Sequence, residues 1–217
     1  GTIQVGVSAN WTNQYVERYG LRYYSANVDG NCPVVSASFH RDDSSPAFYH
    51  LITQNGSDFN THVQGSGSDW SQAFLNDGIT QVTAIIGSLG NASQVDLTLE
   101  CADPVLEIKL PNSVAVAPVQ SGTKFLAQVL VTDGASGPVV GGLSNLDFVA
   151  TVDDKNAPVT GGGFIQEQYW LLIQAPNRPD GTYDLQVTLE QPGTGTPLAS
   201  HTSPGSVVYT EDLVDQV

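Results

Sequence analysis

The sequence predicts an all-β fold of two tandem antiparallel β-sandwiches, and three observations carry that prediction. Apolar residues recur at every second position in short runs, as in Leu106, Ile108 and Leu110 against Glu107 and Lys109, the period that turns one face of a strand toward a core. The 22 glycines and 12 prolines punctuate those runs at the spacing of sandwich turns. No stretch carries an extended helical apolar stripe, and 217 residues suit two domains of about 100 residues each.

The chain opens on Gly1-Thr-Ile-Gln-Val-Gly-Val7, where Ile3, Val5 and Val7 fall on one face of an expected strand. A terminal strand of this kind can complete a neighbouring molecule's sheet, so these three residues form a candidate donor-strand face. Tyr15 to Asn27 follows, with Tyr15, Tyr19, Tyr23 and Tyr24; such rings serve half-buried strand packing and can also stack on sugars. Val34 to Phe39 and Ala47 to Thr53 read as strands around a polar turn that begins His40-Arg-Asp-Asp43, and Asn55-Gly56 is a turn signal. Gln64 to Asp69 reads as a Gly/Ser-rich loop before Trp70. Ile79 to Ile86 and Val95 to Cys101 are expected to pair as a hairpin across the Gly87 to Ser93 loop.

Pro104 stops the ladder just after Cys101, which sets the expected boundary: residues 1–102 form an N-terminal sandwich, and 103–217 a second sandwich with a short acidic tail. The first is either jelly-roll-like or immunoglobulin-like. The second shows strand patterns at Lys124 to Thr132, Leu146 to Val152, Phe164 to Gln174, Thr182 to Glu190 and Leu198 to Tyr209.

Within that half, Asp180-Gly-Thr-Tyr-Asp-Leu-Gln-Val187 resembles the strand near the end of immunoglobulin-like modules. The resemblance extends over Asp103 to Tyr209 and implies an Ig-like sandwich with Tyr183 as the corner tyrosine, its hydroxyl bonded back to the backbone. It is similar to tandem Ig-like modules of secreted prokaryotic surface proteins, some of which precede von Willebrand factor A domains. The family's cysteine pair is missing from this half. The whole arrangement also resembles donor-strand-assembled fibre subunits, which implies head-to-tail polymers.

The two cysteines, Cys32 and Cys101, are expected to form one disulfide across a long loop, the alternative being two buried thiols. The chain contains no methionine and starts at Gly1, which reads as a processed chain or a fragment. Three sequons, at Asn10, Asn55 and Asn91, are candidate N-glycosylation sites; unmodified turn asparagines are the alternative. With 22 acids against 7 bases the net charge is −15 and both halves are acidic, so nucleic acid and anionic membranes are repelled. No apolar run is long enough to cross a bilayer as a helix.

No constellation names a reaction. His40, His50, His62 and His201 lack metal-ligand spacing, and no nucleophile elbow or phosphate loop is present. His40 beside Asp42 and Asp43 offers acid/base chemistry but reads first as a solvated turn. Asp58, Asp69 and Asp77, or Asp153 and Asp154 with Asn156, offer oxygen ligands for calcium between loops, though such acids are commonly turn residues. The sequence therefore points to a non-enzymatic extracellular or cell-surface protein with no cofactor. It is expected to be a structural subunit that polymerises with itself through its N-terminal strand. The alternative is an adhesion or carbohydrate-binding module, with Trp11, Trp70 or the Tyr15 to Tyr24 rings as platform, or a spacer.

Overall fold

A computed structural model describes residues 1–42, 47–67, 69–111 and 119–210; the acidic tail from Glu211 onward lies outside them. The chain is all-β and divides into two compact units: Gly1–Asp103 with Ser136–Gly141, and Pro104–Ala135 with Gly142–Val217. The strands of the first stretch are β1 (Thr2–Ile3), β2 (Ala9–Val16), β3 (Leu21–Val28), β4 (Val34–Arg41), β5 (Ala47–Asn55), β6 (Asp58–Gly67), β7 (Asp69–Leu75), β8 (Gln81–Ser88) and β9 (Ser93–Ala102). Next come β10 (Pro104–Pro111), β11 (Lys124–Asp133) and β12 (Val140–Gly141). The last are β13 (Phe148–Val152), β14 (Lys155–Asn156), β15 (Val159–Ile165), β16 (Gln168–Gln174), β17 (Gly181–Glu190) and β18 (Pro197–Tyr209).

Unit 1 packs a sheet of order β1-β3-β8-β5-β6 on one of order β12-β7-β4-β9-β2. The orders 3-8-5-6 and 7-4-9-2 are those of a jelly roll, which resolves the choice left open for this half. Strand β9 shows why the sequence folds so: Val95, Leu97, Leu99 and Cys101 are buried, while Gln94, Asp96, Thr98 and Glu100 alternate outward. The buried faces of both sheets form one core that includes Ile3, Phe39, Leu51, Phe74 and Ile86. Cys32 and Cys101 are joined there, with Cα atoms 5.5 Å apart. Beside them buried Asn76 donates to the Cys32 carbonyl at 2.8 Å and accepts from the Ile79 amide at 2.7 Å, so its polar atoms are satisfied.

Four local expectations are corrected in this unit. The opening stretch is not one strand: Gly6, at φ +76°, turns the chain, and Gln4 and Val7 exchange two backbone hydrogen bonds across that turn. Ile3 is fully buried, whereas Val5 and Val7 are 53% and 45% exposed, so the three do not share a face. Strands β8 and β9 do not form a hairpin. β8 pairs with β3 and β5, β9 with β2 and β4, and the loop between them crosses from one sheet to the other. The Gly/Ser-rich stretch before Trp70 is largely strand, since β6 runs to Gly67 paired along β5. Finally, Ser136–Gly141 belongs to unit 1, where β12 pairs in parallel with β7.

Unit 2 packs β10-β11-β16-β15 on β14-β13-β17-β18. Relabelled in chain order, with the short β14 set aside, these are the ABED and CFG sheets of an immunoglobulin-like sandwich. Phe125, Ala127, Val129 and Val131 of β11 face Leu185, Val187 and Leu189 of β17 as buried core residues. The expected single strand from Phe164 to Gln174 is two, β15 and β16, joined by Gln166 and Glu167 at φ +52° and +62°. Tyr183 donates from its hydroxyl to the Pro179 carbonyl at 3.0 Å and stands edge-on to Tyr209.

Candidate functional site

The three sequon asparagines are all exposed. Asn10 holds its carboxamide between Ser8 and Thr98, Asn55 donates to the Asp77 carbonyl at 3.0 Å, and Asn91 lies in the loop between the two sheets. Trp11 packs against buried Tyr24, with ring centroids 5.4 Å apart, and Trp70 stacks on Tyr49 at 5.1 Å. Both indoles are therefore partly committed to the core. Asp153 and Asp154 make the tight turn between β13 and β14, at φ +48° and +67°, with an Asp153 carboxylate oxygen 3.7 Å from Arg178. Among the described residues no three His, Cys, Asp or Glu side chains gather into a metal-holding group.

Two outward faces of unit 1 differ in chemistry. On the sheet containing β7, β4 and β9, an open groove of about 540 Å³ is bounded by Ser38, His40, Asp69, Ser71, Asp96 and Thr98. Register explains the grouping: Asp69 and Asp96 flank His40 in one cross-strand row, and Ser71 and Thr98 flank Ser38 in the next. His40 is hydrogen-bonded to Asp69, which raises its pKa above the ordinary histidine value, with the Asp42 and Asp96 charges acting the same way. Asp42 is 3.9 Å from the imidazole, and Asp43 lies outside the described residues. The groove's groups are engaged within the chain: Asp96 accepts from the Asn13 amide at 2.6 Å, and Thr98 donates to Asn10 at 2.8 Å.

The other sheet presents an uncharged face. Since Tyr24, Ala26 and Val28 of β3 are buried, Leu21, Tyr23, Ser25 and Asn27 point outward. Pairing carries these across β8 and β5 in four rows: Leu21, Gly87 and Phe48; Tyr23, Ile85 and His50; Ser25, Thr83 and Ile52; Asn27, Gln81 and Gln54. None of these positions holds Asp, Glu, Lys or Arg, in a chain whose net charge is −15. Rings and aliphatic groups occupy one end, with Tyr23 64% and Leu21 53% exposed and Phe48 edge-on to His50. Hydroxyls and carboxamides occupy the other, where Ser25 and Thr83 share a 2.8 Å hydrogen bond and Gln81 donates to Asn27 at 3.3 Å. Gly87, itself buried, lets the Leu21 side chain lie across the upper row, where an added Cβ would stand 2.6 Å from the Leu21 Cδ2 and push it aside. Sequence reasoning found Tyr23 by its tyrosine run but missed Phe48, Ile52 and Ile85, which join it only through the strand order.

Compared with models of known protein families the chain matches none, and no curated protein matches it. Among solved structures it is similar to a mitogen from Yersinia pseudotuberculosis, at 14% identity over 52% of this chain and 98% of that one, with a TM-score of 0.35. A β-glucuronidase from Ruminococcus gnavus is similar at 10% identity, over 86% of this chain and 36% of the enzyme, with a TM-score of 0.27. A putative membrane-anchored protein from Corynebacterium diphtheriae is similar at 11% identity, over 99% of this chain and 54% of that one, with a TM-score of 0.25. The chain thus spans about a third of the enzyme and about half of the Corynebacterium protein. Likeness this distant carries no argument about function. Among the described residues no helix is long and apolar enough to cross a membrane.

Proposed function

We propose that the chain is a non-enzymatic binding module of the cell exterior that holds neutral carbohydrate on the outward face of β3, β8 and β5. The observation that carries this reading is the absence of charge from those rows, which combine exposed rings with carboxamides and hydroxyls. Rings supply flat apolar area to the C–H faces of a sugar, and the amides and hydroxyls meet its hydroxyl groups without the desolvation cost of an ion. A neutral polymer also meets no repulsion from a chain of charge −15, whereas a polyanion does. The disulfide supports an oxidising, extracellular setting.

Co-sedimentation with insoluble cellulose, chitin, xylan and mannan tests the reading. Retention of the wild type on at least one, insensitive to salt and weakened in Tyr23→Ala/Phe48→Ala with folding intact, is the expected outcome. Absence of retention on every polymer, or retention unaltered by the double substitution, contradicts it.

Head-to-tail assembly through the N-terminal strand takes second place. Ile3 fills a seat in its own chain's core, with the Asp29 amide donating to the Ile3 carbonyl at 3.0 Å, and donation to a neighbour would empty that seat. Light scattering of the wild type and of a variant lacking Gly1 to Ser8 separates the two readings: polymers that the deletion abolishes would restore assembly.

A further inference from the structure

The outward face of the unit 2 sheet β10-β11-β16-β15 carries a second aromatic site that the sequence pattern did not single out. Tyr169, Leu171 and Ile173 of β16 are buried, so Trp170 and Leu172 point away from the core and both are half-buried. Register sets Trp170 between Gln128 of β11 and Gly163 of β15, and sets Leu172 between Leu126 and Gly161. The two glycines leave the β15 side of both residues low. An added Cβ at Gly163 would meet nothing within 4 Å, so the indole does not fold over that glycine and the space beside it is open.

The chemistry around this slot selects its occupant. Gln128, Gln168 and Gln174 share the face with the indole, and Leu126 is 49% exposed beside it. Charge lies on the far side of Gln128, where Glu107 and Lys109 of β10 neutralise each other at 2.5 Å, and at Lys124, which begins β11. An aliphatic protein surface laid here would bury the Gln128 and Gln174 carboxamides without partners, which is unfavourable. A polyhydroxylated ring can lie on the indole and bond to them.

We infer that the slot between Trp170, Gln128 and Gly163 is a second docking site for a neutral pyranose polymer. This rests on the carbohydrate reading of unit 1 for its ligand class, though the two sites involve different residues. The test measures affinity for soluble hydroxyethylcellulose, glycol chitin, xylan and galactomannan by native affinity electrophoresis, with Trp170→Ala, Gly163→Val and Tyr23→Ala/Phe48→Ala run beside the wild type. Gly163→Val is the discriminating variant, because its Cβ enters open space on a strand residue outside the left-handed region and should not weaken the fold.

Trp170→Ala and Gly163→Val are each expected to weaken retardation by about fivefold to tenfold, the size of one lost ring contact. Unaltered retardation in Gly163→Val and Trp170→Ala, with Tyr23→Ala/Phe48→Ala losing it, overturns this site while leaving the unit 1 reading in place. Loss in the unit 2 variants alone supports this site and removes the unit 1 reading. No retardation of the wild type by any polymer overturns both. A concentration-dependent dimer, seen by sedimentation without sugar and abolished by Trp170→Ala, assigns the slot to a second copy and overturns the proposal.

Discussion

Three tyrosines of unit 2 show how one residue type serves different ends. Tyr183 makes its corner bond to Pro179, and Tyr183→Phe should lower stability by about 1 kcal/mol, measured as a fall in the urea midpoint at unchanged slope. Tyr169 and Tyr209 instead sit in the core, and burial pushes the phenol of each up to about 12. Well below pH 10 both are neutral in either state and stability is unaffected. Between about pH 10 and 12 the unfolded chain releases protons that the folded chain retains, so stability should fall with rising pH across that window. A spectrophotometric titration should show these two ionising after the exposed tyrosines, together with a decline in the urea midpoint over the same range. At this scale the sequence was informative where a residue's neighbours along the chain define its role. Tyr183 was legible from Asp180-Gly-Thr-Tyr183, because its partner lies four positions upstream. The turn residues Gln166 and Glu167 were not, since neither is a glycine or asparagine and only the pairing of β15 with β16 places them at positive φ.

At the scale of elements, the opening stretch shows what alternation can and cannot specify. Ile3, Val5 and Val7 have the period of a strand, but pairing with β3 ends at Ile3, Val5 bridges Cys101 of β9 instead, and Gly6 at positive φ then turns the chain. What remains is a two-residue parallel edge strand anchored by one buried side chain. Ile3→Ala should therefore cost about 2 to 4 kcal/mol, read as a lower melting temperature and urea midpoint, while Val5→Ala should cost well under 1 kcal/mol. Equal costs at the two positions would contradict this account of the arm. The same limit hid the candidate faces. Each strand's inward and outward residues were readable from its own sequence, yet which strands stand side by side was not. The rows joining Tyr23, Ile85 and His50 combine three segments far apart in the chain, and local periodicity is silent on such pairing. Trp170 was overlooked for the same reason: Gly163 lies opposite it only because a hairpin turns between them.

For the whole molecule, composition set useful bounds. Alternation, glycine and proline spacing, and length pointed to two all-β sandwiches, and the Ala102 to Pro104 stretch marks a change of unit. Six residues that sequence order assigned to the second half, Ser136–Gly141, extend a sheet of the first, an edge addition that no composition shift announces. The same composition makes the uncharged rows informative, because a chain so rich in acids has kept them off one sheet face. The most direct measurement is NMR perturbation mapping with whichever neutral hexaose, from cellulose, chitin, xylan or mannan, matches the retained polymer. Within unit 1 the shifts are expected to centre on Tyr23, Ile85, His50 and Phe48, with the groove at His40, Asp69 and Asp96 unperturbed. Shifts centred on that groove, or none at a saturating sugar concentration, would contradict the carbohydrate reading.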